Sequence, residues 1–476
     1  MPIWNPRIET MPRVDLEQLQ LERLQVTANR AWEGVPFYRR RFEALGLMPE
    51  QIRSLDDLRQ LPFTTKDDLR SGYPYDMFAV PLREVVRIHA PWGTATTPTV
   101  AGYTRNDLQH WRELAARVLS AGGLTKDDVI QISFTYGLLT DAFGLHQGAE
   151  EIGASVIPVT AGAVEQQVSI MQDFRTTALV GTPSYALQIA EALAEKGVPR
   201  TSLHLRWGML GGEPWSQATR ARIEAQLGIS ATDNYRISEI MGPGVSGECE
   251  EHKDGLHINE DHFLCEVVDP ESGEVLAPGQ TGELVITTLT KEALPVLRYR
   301  TRDLTSLNPE PCACGRTLAR MARVSGRTDD MVIVGGVKIS PAQIEAVLSG
   351  IEGLGPHYQV LVDSAGAVDR VEVQVEVSSG LLTGDMRHLL KTQNQLREKL
   401  EKTLGLAAEV SSSRRGRSTA GGPAGSSTGG RATMAIRPSS SGLGDTAVPG
   451  LRVQPPDSAR PSGAAQSTDG GEGRKR

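Results

Sequence analysis

The chain has 476 residues, 39% hydrophobic and 23% charged, a globular balance and too long for one ordinary domain. Its formal charge of −8 is uneven: from Ser411 onward 10 Lys/Arg stand against 4 Asp/Glu, a local +6 that leaves −14 for the rest and argues against a nucleic-acid groove. No apolar run of membrane-spanning length, no leader-like core in MPIWNPRIETMPR and only four cysteines argue against a membrane partner, a secretory signal and a disulfide framework, and point to the cytoplasm.

Residues 16–45 read as a helical pair rich in Leu and Arg, and Ser54 and Thr65 are placed to cap two short helices. From Asn106 helices and strands alternate: helix 108–119, strand 129–134, helix 145–152, strand 155–158, helix 165–174, strand 178–181, helix 184–195, strand 205–210 and helix 216–227. Strands separated by such helices cross over right-handed and build a parallel sheet. After Glu239 the texture changes, and HFLCEVVDPESGEVLAPGQTGELVITTL reads as strands between Gly/Pro turns. Gly326 and Arg327 punctuate the chain. Strand 331–334, helix 341–348, strands near 358–362 and 371–377 and helix 386–404 then predict a small α+β unit. Residues 411–476 hold no Phe, Trp or Tyr and cannot bury enough apolar area to offset chain entropy, so they are expected to be disordered. The expected organisation is an α/β domain with a β-rich part over 1–325, a small α+β domain over 326–410 and a tail over 411–476.

Five constellations carry possible chemistry. HAPWGTATTP, from His89 to Pro98, follows a predicted strand; such a turn can wrap phosphates with backbone N–H groups and hydroxyls, and an ordinary loop reads the same way. In DNYRISE, from Asp233 to Glu239, an aromatic and a carboxylate at the end of a strand suit adenine stacking and a Mg²⁺ ligand. A surface carboxylate after a buried Tyr has the same pattern. In YRTRD the carboxylate of Asp303 can accept two ribose hydroxyls, and in GRTDD Arg327 can add a donor. A solvated linker or a hinge fits GRTDD equally. Cys312 and Cys314 lie in one turn; with Cys249 and His257 they complete a tetrahedral zinc set, with His252 as the alternative imidazole and free structural cysteines as the alternative reading. Cys265 reads as core.

In order along the chain, WNPRIETMPR, FYRRRFEALG, LPFTTKDDLR, GYTRNDL, YGLLT, LHQGAE, TPSYAL, GGEPW, SEIMGPGV, TLTKEALPVLRYRTRD, CACGRT and GRTDDM resemble the motifs of the phenylacetate–CoA ligase branch of the adenylate-forming enzymes. The resemblance runs from Trp4 to about Glu409 and implies a large adenylate-forming domain with a small rotating lid. It implies ATP-dependent conversion of an aryl acid, through an acyl-adenylate, to its CoA thioester. Gly93, Thr94, Thr96 and Thr97 then belong to the phosphate loop, with Thr94 and Glu239 catalytic and Glu239 on Mg²⁺. Gly212, Glu213 and Pro214 form the turn over the adenine, beside Asp233, and Tyr235 stacks on the base. Asp303 and Arg327 hold the ribose, Asp329 is the hinge, and Gly336 enters the site for the thioester step. Tyr136, Gly137, Gly242, Pro243 and Gly244 line the acyl pocket, and Cys249, His257, Cys312 and Cys314 hold a structural Zn²⁺. The implied partners are the acid and CoA, and the implied assembly a homodimer.

Against the resemblance, Pro91, Trp92, Ala95, Thr96 and Thr97 replace the loop's usual serines, threonine, glycine and lysine. Arg236 and Gly335 stand where glycine and arginine are usual. No lysine occurs between Lys402 and Lys475, where the family carries one that serves adenylation. A shifted reading frame of GC-rich DNA from about codon 410 accounts for the tail's composition. Two other readings use the same residues: an aryl-acid activator serving a carrier protein, and an impaired paralogue that binds nucleotide or acid.

Overall fold

The computed structural model describes residues 3–90, 97–159, 162–329, 332–334, 337–339, 341–351, 354–363, 370–377, 386–404, 408–414 and 433–436. The chain opens with helices α1 (Pro6–Glu9), α2 (Arg13–Gly34), α3 (Pro36–Leu45) and α4 (Lys66–Ser71). Thr65 caps α4 as expected: its N–H donates to Asp68 Oδ2 at 2.8 Å while its hydroxyl accepts from the Asp68 N–H at 3.3 Å, so two orphan donors are satisfied reciprocally. Ser54 starts a short 3₁₀ turn over Leu55–Gln60. Helix α2 is fixed by charge as well as by its apolar stripe, through two 2.8 Å bonds from Arg13 to Glu260.

Strands β1 (Arg87–His89) and β2 (Ala101–Tyr103) pair antiparallel around the expected phosphate loop, of which residues 91–96 lie outside the described set. The alternation follows: α5 (Arg105–Ala121), β3 (Val129–Ile132), α6 (Asp141–Glu151), β4 (Ser155–Ile157), α7 (Val164–Asp173), β5 (Ala178–Gly181), α8 (Pro183–Glu195), β6 (Trp207–Gly211), α9 (Gln217–Leu227) and β7 (Ser230–Ile237). Strands β4, β3, β5, β6 and β7 pair in parallel. All four residues of β5 are buried, as befits a strand covered by helices on both faces.

Four antiparallel strands extend this sheet: β8 (Gly242–Glu248), β9 (Leu256–Ile258), and β13 and β14 below. The β-rich segment supplies a second sheet, β10 (Phe263–Val268), β11 (Gly282–Thr288) and β12 (Tyr299–Thr305). β13 (Leu307–Asn308) and β14 (Arg320–Met321) return to the first sheet, and β15 (Gly326–Arg327) pairs with β12. The hairpin β16 (Val332–Val334) and β17 (Val337–Ile339) precedes α10 (Pro341–Ser349), β18 (Leu354–Asp363), β19 (Arg370–Val377), α11 (Met386–Leu404) and β20 (Ala408–Arg414). These elements share their own core, with Ile344, Val360, Val373, Leu396 and Leu400 buried together.

Within the stretch from Ser411 onward, two short segments are described as strands. β20 continues through Ser411 to Arg414 beside β19, and β21 (Thr433–Ile436) pairs antiparallel with β18. Backbone pairing needs no aromatic side chain, so composition alone misses strands of this kind. Among the described residues no helix is long and apolar enough to cross a membrane.

Candidate active site

The carboxyl ends of the parallel strands gather the expected nucleotide residues. Tyr235, near the end of β7, is 9% exposed, and its hydroxyl donates to Asp303 Oδ2 at 2.5 Å. Asp303 on β12 sits opposite Arg327 of β15 in register, and Arg327 Nη1 donates to Asp303 Oδ1 at 2.8 Å. The same guanidinium donates through Nε and Nη2 to the two oxygens of Asp329, at 2.9 and 3.0 Å. Burial pushes the Asp303 carboxyl up to about 6, opposed by Arg327, and raises the Tyr235 phenol well above its ordinary range.

Glu239, two residues beyond β7, is 6% exposed. Lys66 Nζ lies 2.9 Å from its Oε1, and Thr99 Oγ1 donates to the same oxygen at 3.4 Å. One buried carboxylate beside Thr99, just past the expected phosphate loop, fits a Mg²⁺ that takes its other ligands from phosphates and water. Sequence reasoning missed Lys66; the signal available was its place at the first turn of a helix capped by Thr65. Of the phosphate loop, Thr97 and Pro98 are described, while Gly93, Thr94 and Thr96 lie outside the described residues, as does Gly336.

Gly212 takes φ +86°, a conformation that favours glycine. Glu213 next to it accepts from the backbone N–H of Ser184 at 2.5 Å and from its hydroxyl at 3.0 Å, so this carboxylate caps the amino end of α8 and uses its dipole. Pro214 follows in the same turn. Arg236 turns away from Tyr235: it is ion-paired with Asp141 at 2.5 Å and lies over the Phe134 ring at 4.6 Å. Its charge is thereby matched by Asp141. The sequence left the fate of this cation open, and Asp141 was not singled out.

Tyr136 shares a hydrogen bond with His146 Nδ1 at 3.1 Å and meets Phe143 edge-on at 5.3 Å. Burial pushes its phenol up to about 12. Gly137, beside it, has φ +133°. Gly242, Pro243 and Gly244 open β8 and press against α5 and α6. The indole of Trp111 donates to the Pro243 carbonyl at 2.6 Å, and a Cβ on Gly242 would lie 2.9 Å from both Thr140 and Trp111. Asp233 pairs with Arg323 at 3.1 Å, and burial pushes it up to about 6, aided by Glu248 and opposed by Arg323.

The sulfurs of Cys249, Cys312 and Cys314 and a ring nitrogen of His257 all lie within 4.8 Å of one another. Cys249 and Cys312 are 3.9 Å apart, and Cys314 is 3.6 Å from His257 Nε2. Tetrahedral zinc at a Zn–S distance of about 2.3 Å sets sulfurs roughly 3.8 Å apart, so the donor set fits. The geometry selects His257 over His252. Cys265 lies on β10, outside the cluster.

Residues 108–290 match the family described as AMP-binding enzyme, and residues 336–420 its C-terminal domain. With the parallel sheet and the residues at its carboxyl edge, these matches define an adenylate-forming enzyme with its small second domain. The phenylacetate–coenzyme A ligase of Thermus thermophilus is 50% identical over 376 residues, 79% of this chain and 84% of that protein. That of Escherichia coli is 47% identical over 404 residues, 85% of this chain and 92% of that protein. The chain belongs to the phenylacetate–CoA ligase family. Among solved structures, 2-hydroxyisobutyryl-CoA ligase in its postadenylation state is similar with a TM-score of 0.80 at 29% identity, over 87% of this chain and 89% of that one. The same ligase in its thioesterification state gives 0.66, over 88% and 91%.

Proposed function

We propose that the chain activates an aryl acid of the phenylacetate kind with ATP and passes the acyl group to CoA. The convergence of Tyr235, Asp303 and Arg327 from three strands carries the reading, because an aromatic face beside a buried carboxylate and a guanidinium is what an adenosine requires. In this reading Tyr235 exchanges its bond to Asp303 for a stack on adenine, and Asp303 accepts the ribose hydroxyls. The acid's carboxylate attacks the α-phosphorus, forming a P–O bond as pyrophosphate leaves. The CoA thiol, giving up its proton, then attacks the acyl carbonyl and AMP departs. The protein's part in the first step is to position the two anions and match their charge. Glu239 would hold Mg²⁺, which when bound neutralises phosphate charge.

Thr94 and the other loop residues belong to the same proposal, as do Asp329 as hinge, Tyr136 and the Gly242–Gly244 turn as acyl pocket, and a cytoplasmic setting. Zn²⁺ at Cys249, His257, Cys312 and Cys314 is proposed as a brace between β8, β9 and the turn before β14, since four protein ligands leave no open position. AMP release by the purified chain, measured over a panel of aryl acids with and without CoA, tests the function. CoA-dependent thioester and AMP in equal amounts are expected; no AMP with any acid would overturn it.

A further inference from the structure

Arg236 and Tyr235 are neighbours on β7 that serve different sides. Tyr235 faces Asp303, whereas Arg236 reaches across to the segment running from the end of β3 to the first residue of α6. There its guanidinium meets Asp141 at 2.5 Å and the Phe134 ring at 4.6 Å, and it closes on Gly212 so tightly that a Cβ there would collide with it. The two side chains are 14% and 15% exposed, largely desolvated without being sealed. Thr140, beside Asp141, bonds Ser238 at 3.1 Å, one residue before Glu239. The pair therefore joins the adenine turn to the aromatic segment holding Tyr136 and Phe143, where acid and nucleotide must meet.

We infer that Arg236 and Asp141 form a donor–acceptor head that reads a hydroxyl on the acid's ring, so that hydroxylated aryl acids are the preferred substrate class. This rests on the aryl-acid reading above. A guanidinium only donates and a carboxylate only accepts; a phenolic hydroxyl does both and satisfies the two together. An unsubstituted ring strips water from the pair and returns no hydrogen bond, which costs more than the bond itself is worth. A second carboxylate on the substrate meets a guanidinium already matched by Asp141, so a diacid is disfavoured.

The test compares phenylacetic, 3-hydroxyphenylacetic and 4-hydroxyphenylacetic acids with the full chain, reading AMP release with ATP and CoA, and acid binding by calorimetry in parallel. At least one hydroxy acid is expected to exceed phenylacetic acid by about tenfold in kcat/KM, or in affinity if turnover is too slow to read. In Arg236→Gln and Asp141→Asn that ratio should fall towards one, whereas a merely structural pair would lower all acids alike and leave the ratio unchanged. A ratio of one or below in the unaltered chain overturns the inference while leaving the aryl-acid reading standing. Neither turnover nor binding of any of the three acids overturns both.

Discussion

Lys291 offers a quantitative test of how burial acts in this fold. Its side chain is fully buried, with its ammonium 3.1 Å from the centre of the Tyr103 ring and no hydrogen-bond acceptor among the described residues. Burial pulls its pKa from 10.5 down to about 7, with Asp107 opposing. Between those values the unfolded chain binds the proton and the folded chain sheds it, so the lysine's contribution makes stability rise with pH and the penalty fades as pH approaches 10.5. Each pH unit is worth about 1.4 kcal/mol where the protonation states differ fully. From pH 7, where the folded amine is half protonated, to pH 9 this amounts to about 2 kcal/mol. Attraction to the ring, up to about 2 kcal/mol, holds the proton longer and trims the gain to about 1 kcal/mol. In Lys291→Met, which keeps the length and removes the charge, the pH 7 to 9 response should be smaller by about 1–2 kcal/mol. Urea unfolding followed by tryptophan fluorescence at both pH values measures it. Equal responses in the two proteins would refute the burial argument.

Asp303→Asn should raise KM for ATP by about tenfold or more by removing a charged acceptor. In the unaltered chain ATP affinity should fall as pH drops through about 6, where Asp303 takes up its proton; a flat pH profile contradicts the ribose role. Cys312→Ser should release bound zinc, read by elemental analysis, and lower the melting temperature, whereas a chain purified without zinc and unaffected by the change argues for free thiols. Arg220→Met leaves Glu248, buried and 2.6 Å away, without its charged partner, and should cost about 3–5 kcal/mol by chemical denaturation. Pyrophosphate exchange should run about a hundredfold below that of a relative with the usual loop and lysine, each lost donor weighing on the adenylation step; thioester formation from supplied acyl-adenylate should survive, and exchange at a relative's rate contradicts this.

The alternating part of the fold was legible because helix caps and buried strands write themselves locally. Thr65 caps where read, the helix expected over 216–227 runs from Gln217 to Leu227, and β5 covers the predicted residues. The partners of the site were less so. Tyr235 and Asp303 stand out by residue type, but their bond spans 68 positions and depends on how two sheets meet. Lys66 and Asp141 sit in ordinary helix-start segments, and only the folded chain brings them to Glu239 and Arg236. The strands past Ser411 escaped because a low-aromatic composition speaks to core burial and says little about a sheet edge.

Arg327 holds Asp303 with one nitrogen and Asp329 with two others. If Asp303 takes the ribose and Asp329 is the hinge, as proposed above, both draw on the same rigid guanidinium plane. Whatever free energy the nucleotide spends in loosening that plane is spent equally, by reciprocity, on the ease with which the chain bends at position 329. On that proposal, occupancy and rotation would be two readouts of a single side chain.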